Sequence, residues 1–301
     1  MSSDSENSLP LLHTLWDYRR PAESEARFRA LLPRAEAVDP EYALIVWTQI
    51  ARTHSLRDQF AEAHALLDRV ETAPAVEEMP LVRLRYLLER GRCFHSAGEK
   101  ERARPLFRQA YDLGRQIGPA ADYHTIDAAH MLGIAAADTA QMLAWNEKGI
   151  DLAEASADLR ANGWLGALYN NNAWTYADAG DLEEALQLFQ RAWLWRQEQS
   201  GDQPHTIRIA KWCVAHLWRR LGMVSGALAL LRELEAEWAA AGEESGYVVE
   251  DMAECYAVLG RHDEARSYYA RAYTLLAQES WLVRHEAARL ARLRELGGLR
   301  E

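Results

Sequence analysis

Apolar positions recur at helical spacing through most of the chain, and no alternating Val/Ile/Thr run extends beyond a few residues. The periodicity predicts helices throughout. Those helices come as a repeated phrase. A glycine is followed by alanine five residues on, a large apolar residue four later and another apolar residue three later, as in Gly98, Ala103, Phe107 and Ala110. The same offsets hold Gly180, Ala185, Phe189 and Ala192, then Gly222, Ala227, Leu231 and Leu234, then Gly260, Ala265, Tyr269 and Ala272. Asp58, Ala63, Leu67 and Val70 form a further copy with aspartate in the turn. Four residues before each turn residue stands a ring (His54, Phe94, Tyr176, Trp218, Tyr256), and seven before it a small residue (Ala51, Gly91, Ala173, Ala215, Ala253).

Ring and small residue are three apart and share one helical face. The phrase therefore describes a helical hairpin: the small residue admits a second helix, the ring fills the space beside it, and the glycine ends the first helix. The alanine after the turn must be small because helices of adjacent hairpins cross there. Spacings between these alanines are 40 from Ala63 to Ala103, 82 to Ala185, 42 to Ala227 and 38 to Ala265. The double interval predicts a degenerate sixth hairpin centred near 142–144.

These features resemble the tetratricopeptide repeat family, whose small residue, aromatic, glycine and alanines fall in this order. The resemblance covers 44–279, with units at 44–77, 84–117, 123–156, 166–199, 208–241 and 246–279. The period of about 40 exceeds the family's common 34 and is similar to its kinesin-light-chain-like and peptide-sensor branches. Residues 1–8 are expected to be disordered, and 9–43 to form an N-terminal helical pair from PLLHTLWDYRR and ESEARFRALLPRA. One amphipathic capping helix is expected over 280–297, with Trp281, Ala288 and Leu296 apolar and Arg284, Arg289 and Arg292 outward.

The resemblance implies an all-α, right-handed superhelix, a tetratricopeptide solenoid whose concave face is lined by the first helix of each hairpin. Counting back 13, 10, 6 and 3 from each turn residue picks out that stripe. In the fourth hairpin it holds Asn170 and Trp174, with Asn171 and Asp178 on its edges; in the fifth, Trp212, His216 and Arg219 with Arg220 adjoining; in the sixth, Tyr247, Glu250 and Glu254 beside Asp251. The second contributes Arg85 and Arg92, and the first Arg52. Three consecutive asparagines forgo about 2 kcal/mol of helix propensity, so something other than propensity retains them. Asn170 and Asn171 are similar to family asparagines that hold the main chain of an extended peptide, since an amide offers both donor and acceptor; ordinary solvated surface is the alternative. Asn172 falls where the family buries leucine. His216, Arg219 and Arg220 are placed to receive a carboxylate, or to pair with neighbouring glutamates. The family's dedicated carboxylate clamp uses lysines that this stripe lacks.

The formal charge of −11 argues against nucleic acid as a partner, and no run of 18 apolar residues suggests a membrane span. Cys93, Cys213 and Cys255 are far apart, as expected of reduced, packed thiols. The polar, acidic N-terminus points to a soluble, cytoplasmic protein, and the arginine-over-lysine bias to a GC-rich, bacterial genome. No nucleophile elbow, zinc-protease motif, phosphate loop or dinucleotide fingerprint occurs. His124, Asp127 and His130 lack the spacing for a metal on one face. The expectation is a protein- or peptide-binding adaptor or scaffold without catalysis, cofactor or metal. The alternatives are a peptide-responsive sensor acting on a separate output protein, and a self-associating homo-oligomer using Trp193 and Trp195.

Overall fold

A computed structural model describes residues 8–74, 76–199 and 204–299, and among these every regular element is helical. The chain divides into two compact units, 1–164 and 165–301. The first contains α1 (Pro21–Val38), α2 (Pro40–Ser55), α3 (Phe60–Glu71), α4 (Pro80–Ser96), α5 (Lys100–Ile117), α6 (Asp122–Ile134), α7 (Thr139–Ala155) and the short α8 (Leu159–Asn162). The second contains α9 (Leu165–Ala179), α10 (Leu182–Glu198), α11 (Pro204–Arg220), α12 (Val224–Ala240), α13 (Gly246–Val258), α14 (His262–Leu276), α15 (Ser280–His285) and α16 (Ala287–Leu296). Helices pair as hairpins α2/α3, α4/α5 and α6/α7 in the first unit and α9/α10, α11/α12 and α13/α14 in the second.

Helix starts follow local chemistry. Pro21, Pro40 and Pro80 occupy first turns, where a missing N–H costs nothing. Asp39 and Asp138 cap α2 and α7 by accepting from the backbone of Tyr42 at 3.0 Å and Gln141 at 2.8 Å. Helix ends follow the repeated phrase. Asp58, Gly98, Gly180, Gly222 and Gly260 all adopt positive φ. After each, the next backbone N–H returns to the carbonyl of the ring residue, at 3.0 Å for Gln59 to His54 and 2.8 Å for Glu99 to Phe94. Asp181, Met223 and Arg261 repeat that bond to Tyr176, Trp218 and Tyr256. It satisfies a carbonyl that the helix end would otherwise orphan.

The small residues of the phrase are buried where the two helices of a hairpin meet. The tightest case is Gly91, where a Cβ would lie 2.5 Å from the Phe107 ring. In α6/α7 the contact is made by Gly133 against Asn146, with Ile150 and Ala153 completing the buried face. Asn146 thus takes the place of the alanine that follows the turn, two residues beyond the expected 142–144, and the α6–α7 connection has no positive-φ residue.

Both ends differ from their sequence-based expectation. The PLLHTLWDYRR stretch forms only a 3₁₀ turn, Leu12–Leu15, and α1 starts at Pro21. The expected single helix over 280–297 is two helices, because Glu286 leaves helical geometry at φ −127° and ψ 38°. The break changes which face is buried: Leu282, Leu290 and Leu293 pack inward, whereas Trp281, Ala288 and Leu296 are exposed. Arg289 and Arg292, expected outward, pair with acids of α13. Residues 1–7 of the stretch expected to be disordered lie outside the described residues.

Gly91→Ala should lower the stability read from urea unfolding by about 1–3 kcal/mol, the usual cost of overpacking. Adding Phe107→Leu should recover part of that loss, since the leucine lacks the ring edge that meets the new methyl.

Candidate functional site

The stripe of the second unit is a row of rings on successive first helices. Trp174 on α9, Trp212 on α11 and Tyr247 on α13 follow one another with ring centroids 6.0 and 5.4 Å apart. His216 lies 5.7 Å from Trp174 and 5.4 Å from Trp212. Trp174 also meets Phe189 edge-on at 5.1 Å, so the row is seated on the hairpin core.

Asp251 anchors the middle of this row. Its carboxylate accepts from Trp212 Nε1 at 2.8 Å, His216 Nδ1 at 2.9 Å and Arg219 Nε at 2.7 Å. The residue is 3% exposed. Burial opposes its charge, but the His216 hydrogen bond and the charges of His216 and Arg219 outweigh that, holding the carboxyl below the usual range. The carboxylate that His216 and Arg219 receive is thus the chain's own. Arg220 instead donates to the Ala177 carbonyl at 3.2 Å.

The acidic residues of α13 are engaged as well. Glu250 is held by Arg289 Nε at 3.0 Å and by its Nη2 at 2.5 Å, and Glu254 by Arg292 at 2.7 Å, both arginines coming from α16. What this unit leaves open is the amide edge: Asn171 and Asp178 are exposed, and Asn170 is half-buried with Oδ1 3.8 Å from Cys213 Sγ. Asn172 is buried at 1% exposure. Trp193 and Trp195 are both half-buried, Trp193 against the unit's core and Trp195 over Gly166.

In the first unit, Arg52 on α2 donates to Glu89 on α4 at 3.2 Å, and Arg92 donates to Glu89 at 2.7 Å and to Asp127 on α6. Both acids are buried. Burial raises the cost of the Asp127 charge, but the Arg92 guanidinium beside it holds its carboxyl below the usual range. Arg85 makes no such ion pair among the described residues; burial, only partly offset by the charge of Glu89, lowers its guanidinium to about 10.

A regularity emerges that the stripe alone did not reveal. The residue six before the turn in one hairpin meets an acid in the next first helix: Arg52 with Glu89, Arg92 with Asp127 and His216 with Asp251. Glu89 and Asp251 both stand nine before their own turn residues, a signal visible once the repeats are aligned. Among the described residues, no group of three or more His, Cys, Asp or Glu side chains is placed to hold a metal ion. No helix among them is long and apolar enough to cross a membrane.

Residues 165–198, the α9/α10 hairpin, match the family model of the tetratricopeptide repeat. No curated protein sequence matches the chain. Among solved structures it is similar to BtubC (BKLC) from P. vanneervenii, at 13% identity and TM-score 0.60, over 76% of this chain and 94% of that one. It is also similar to a signal-transduction ATPase with a tetratricopeptide repeat sensor from Pyrococcus horikoshii, at 14% identity and TM-score 0.69. That match covers 94% of this chain but only 43% of the ATPase. A third likeness is to nearly identical kinesin light chain repeats from Podosopora anserina, at 19% identity and TM-score 0.50, covering 67% of this chain and 97% of that one. At these identities the likeness establishes the fold.

Asp251→Asn should destabilise the protein by about 3 kcal/mol at neutral pH, because Arg219 loses its buried counter-charge. A depressed carboxyl contributes stability that is fully present above its unfolded pKa, near about 4, and is lost as pH falls through the lower folded value. The difference between wild type and Asp251→Asn, followed by urea unfolding at decreasing pH, should therefore shrink below about pH 4.

Proposed function

We propose that the chain, whose α9/α10 hairpin matches the tetratricopeptide repeat model and whose fold is similar to that of tetratricopeptide-repeat structures, is a non-catalytic adaptor that binds a protein or extended peptide along the stripe of its second unit. The observation that carries this reading is the composition of the stripe. Rings at Trp174, Trp212 and Tyr247 lie in a row, with the central Trp212 held by Asp251, beside the accessible amides of Asn170 and Asn171. Preorganised aromatic anchors bordered by donors and acceptors are the makings of an interaction hot spot. The amides supply main-chain recognition and the rings supply apolar contact.

Charge recognition plays a smaller part than the raw sequence implies. His216, Arg219, Glu250 and Glu254 all have intramolecular partners, so a ligand gains little from them without breaking an existing pair. The preferred ligand is accordingly an extended segment rich in apolar side chains, with its backbone polar groups exposed for the asparagines.

Panning a displayed library of random peptides against the full-length protein tests the proposal. Enriched peptides should bind wild type and lose about tenfold affinity to the Asn170→Ala/Asn171→Ala variant, the sum of two ordinary hydrogen bonds. The melting temperature should stay close to that of wild type, because alanine suits a helix better than asparagine. Failure to enrich any peptide, or equal binding by the variant, would remove the stripe from the account.

A further inference from the structure

In the first unit the segment from Leu9 to Tyr18 lies back across the stripe of α2 and α4. Tyr42 donates its hydroxyl hydrogen to the Pro10 carbonyl, and Trp16 Nε1 donates to Gln49 Oε1 at 3.0 Å. Tyr18 stacks on Trp16 with ring centroids 4.6 Å apart. Between this segment, the two helices, α6 and Trp164 there remains a cavity of about 450 Å³. Its volume is that of a small-molecule site.

The lining is unbalanced in charge. Four arginines, Arg52, Arg85, Arg92 and Arg160, face it with two carboxylates, Glu89 and Asp127. Arg52 and Arg92 are matched to those acids. Arg85 and Arg160 are matched to none among the described residues; Arg160 rests 4.6 Å over the Tyr123 ring at the exposed rim. Burial holds His124 down at about 3, so it adds no positive charge at neutral pH.

The lining is also unbalanced in hydrogen bonds. Arg85 Nε, Arg52 Nε, Trp164 Nε1 and His130 Nδ1 are all buried without a partner. Buried polar groups are nearly always satisfied, and several orphans around one cavity call for a common cause. A half-buried guanidinium with an orphaned Nε and only partial compensation from Glu89 is also a cost to the folded protein that an apolar side chain of similar size would avoid.

We propose that this cavity binds a small organic anion, a carboxylate or phosphate monoester on a flat apolar body. Arg85 and Trp164 donate to its oxyanion, Arg160 adds charge at the rim, and Trp16, Tyr18 and Tyr123 offer faces to the body. The site is separate from the stripe of the second unit and does not depend on what that stripe binds.

Calorimetric titration of the full-length protein with benzoate, phenyl phosphate, benzamide and inorganic phosphate tests it. At least one of the two aromatic anions should bind with one-to-one stoichiometry and raise the melting temperature. Tighter binding of phenyl phosphate would identify the phosphate ester as the ligand class, and tighter binding of benzoate the carboxylate. Benzamide, which lacks the charge, should not bind. Arg85→Met should weaken the bound anion by about tenfold or more, the value of a charge-assisted hydrogen bond, and should raise the melting temperature of the ligand-free protein. Arg160→Gln, at the rim, should weaken it less. Binding of neither aromatic anion, equal binding by Arg85→Met, or saturation by inorganic phosphate as tight as by phenyl phosphate would each overturn the proposal. So would a drop in ligand-free melting temperature for Arg85→Met, which would make Arg85 a structural support.

Discussion

The architecture depends on how closely two helices of a hairpin can approach. In every hairpin but α6/α7, a small residue on the first helix is set against a small residue and a bulky apolar residue on the second, all buried. Where the first position is glycine, as at Gly91, the Phe107 ring occupies the volume a methyl would need. Close approach fixes the separation of the helix axes and thereby which residues of consecutive first helices can meet. The ring row of the second unit and the ion pairs of the first are consequences of that spacing.

On that frame, polar chemistry joins one hairpin to the next. Asp251 gathers donors from three residues of α11, and Glu89 receives arginines from its own helix and from α2. A buried carboxylate with several donors is well satisfied and tolerates no other arrangement of its neighbours. These acids spend the charge that the stripe advertises, which leaves Arg85 as its conspicuous unmatched cation in the first unit and the asparagine edge as the accessible polar feature of the second. At the end of the second unit the roles reverse. There α16 supplies cations and α13 the acids.

The hairpins were legible because their signal is local and repeated: a turn residue, a ring four before it and a small residue seven before it. Each turn residue so identified has positive φ. The third hairpin was harder to register because Gly133 and Asn146 replace the usual alanine pair and no glycine marks its turn. The terminal helices depart from their periodic pattern for a different reason. A helical wheel locates an apolar face but not the backbone departure at Glu286 that redirects it. At the candidate site, the stripe positions of Trp174, Trp212 and His216 could be counted from the turn. Their partners could not, because whether Arg219 meets solvent or Asp251 depends on a helix more than thirty residues away. The cavity was illegible for the same reason: a wall formed by a segment running back over the stripe leaves no periodic trace.

The direction of the inter-hairpin pairs bears on how the chain is made. Synthesis delivers hairpins from the N-terminal end, and domains fold as their residues emerge, at about 5–20 residues per second. Arg52 emerges before Glu89, Arg92 before Asp127, and His216 and Arg219 before Asp251. A nascent unit therefore presents a cationic edge that the acid of the following first helix neutralises when it appears. At α16 the order is inverted, with Glu250 and Glu254 waiting for Arg289 and Arg292, as it is where second helices take part and Asp68 waits for Arg90 and Glu235 for Arg271. A second unit still lacking α16 is therefore marked by two glutamates whose arginine partners have yet to emerge.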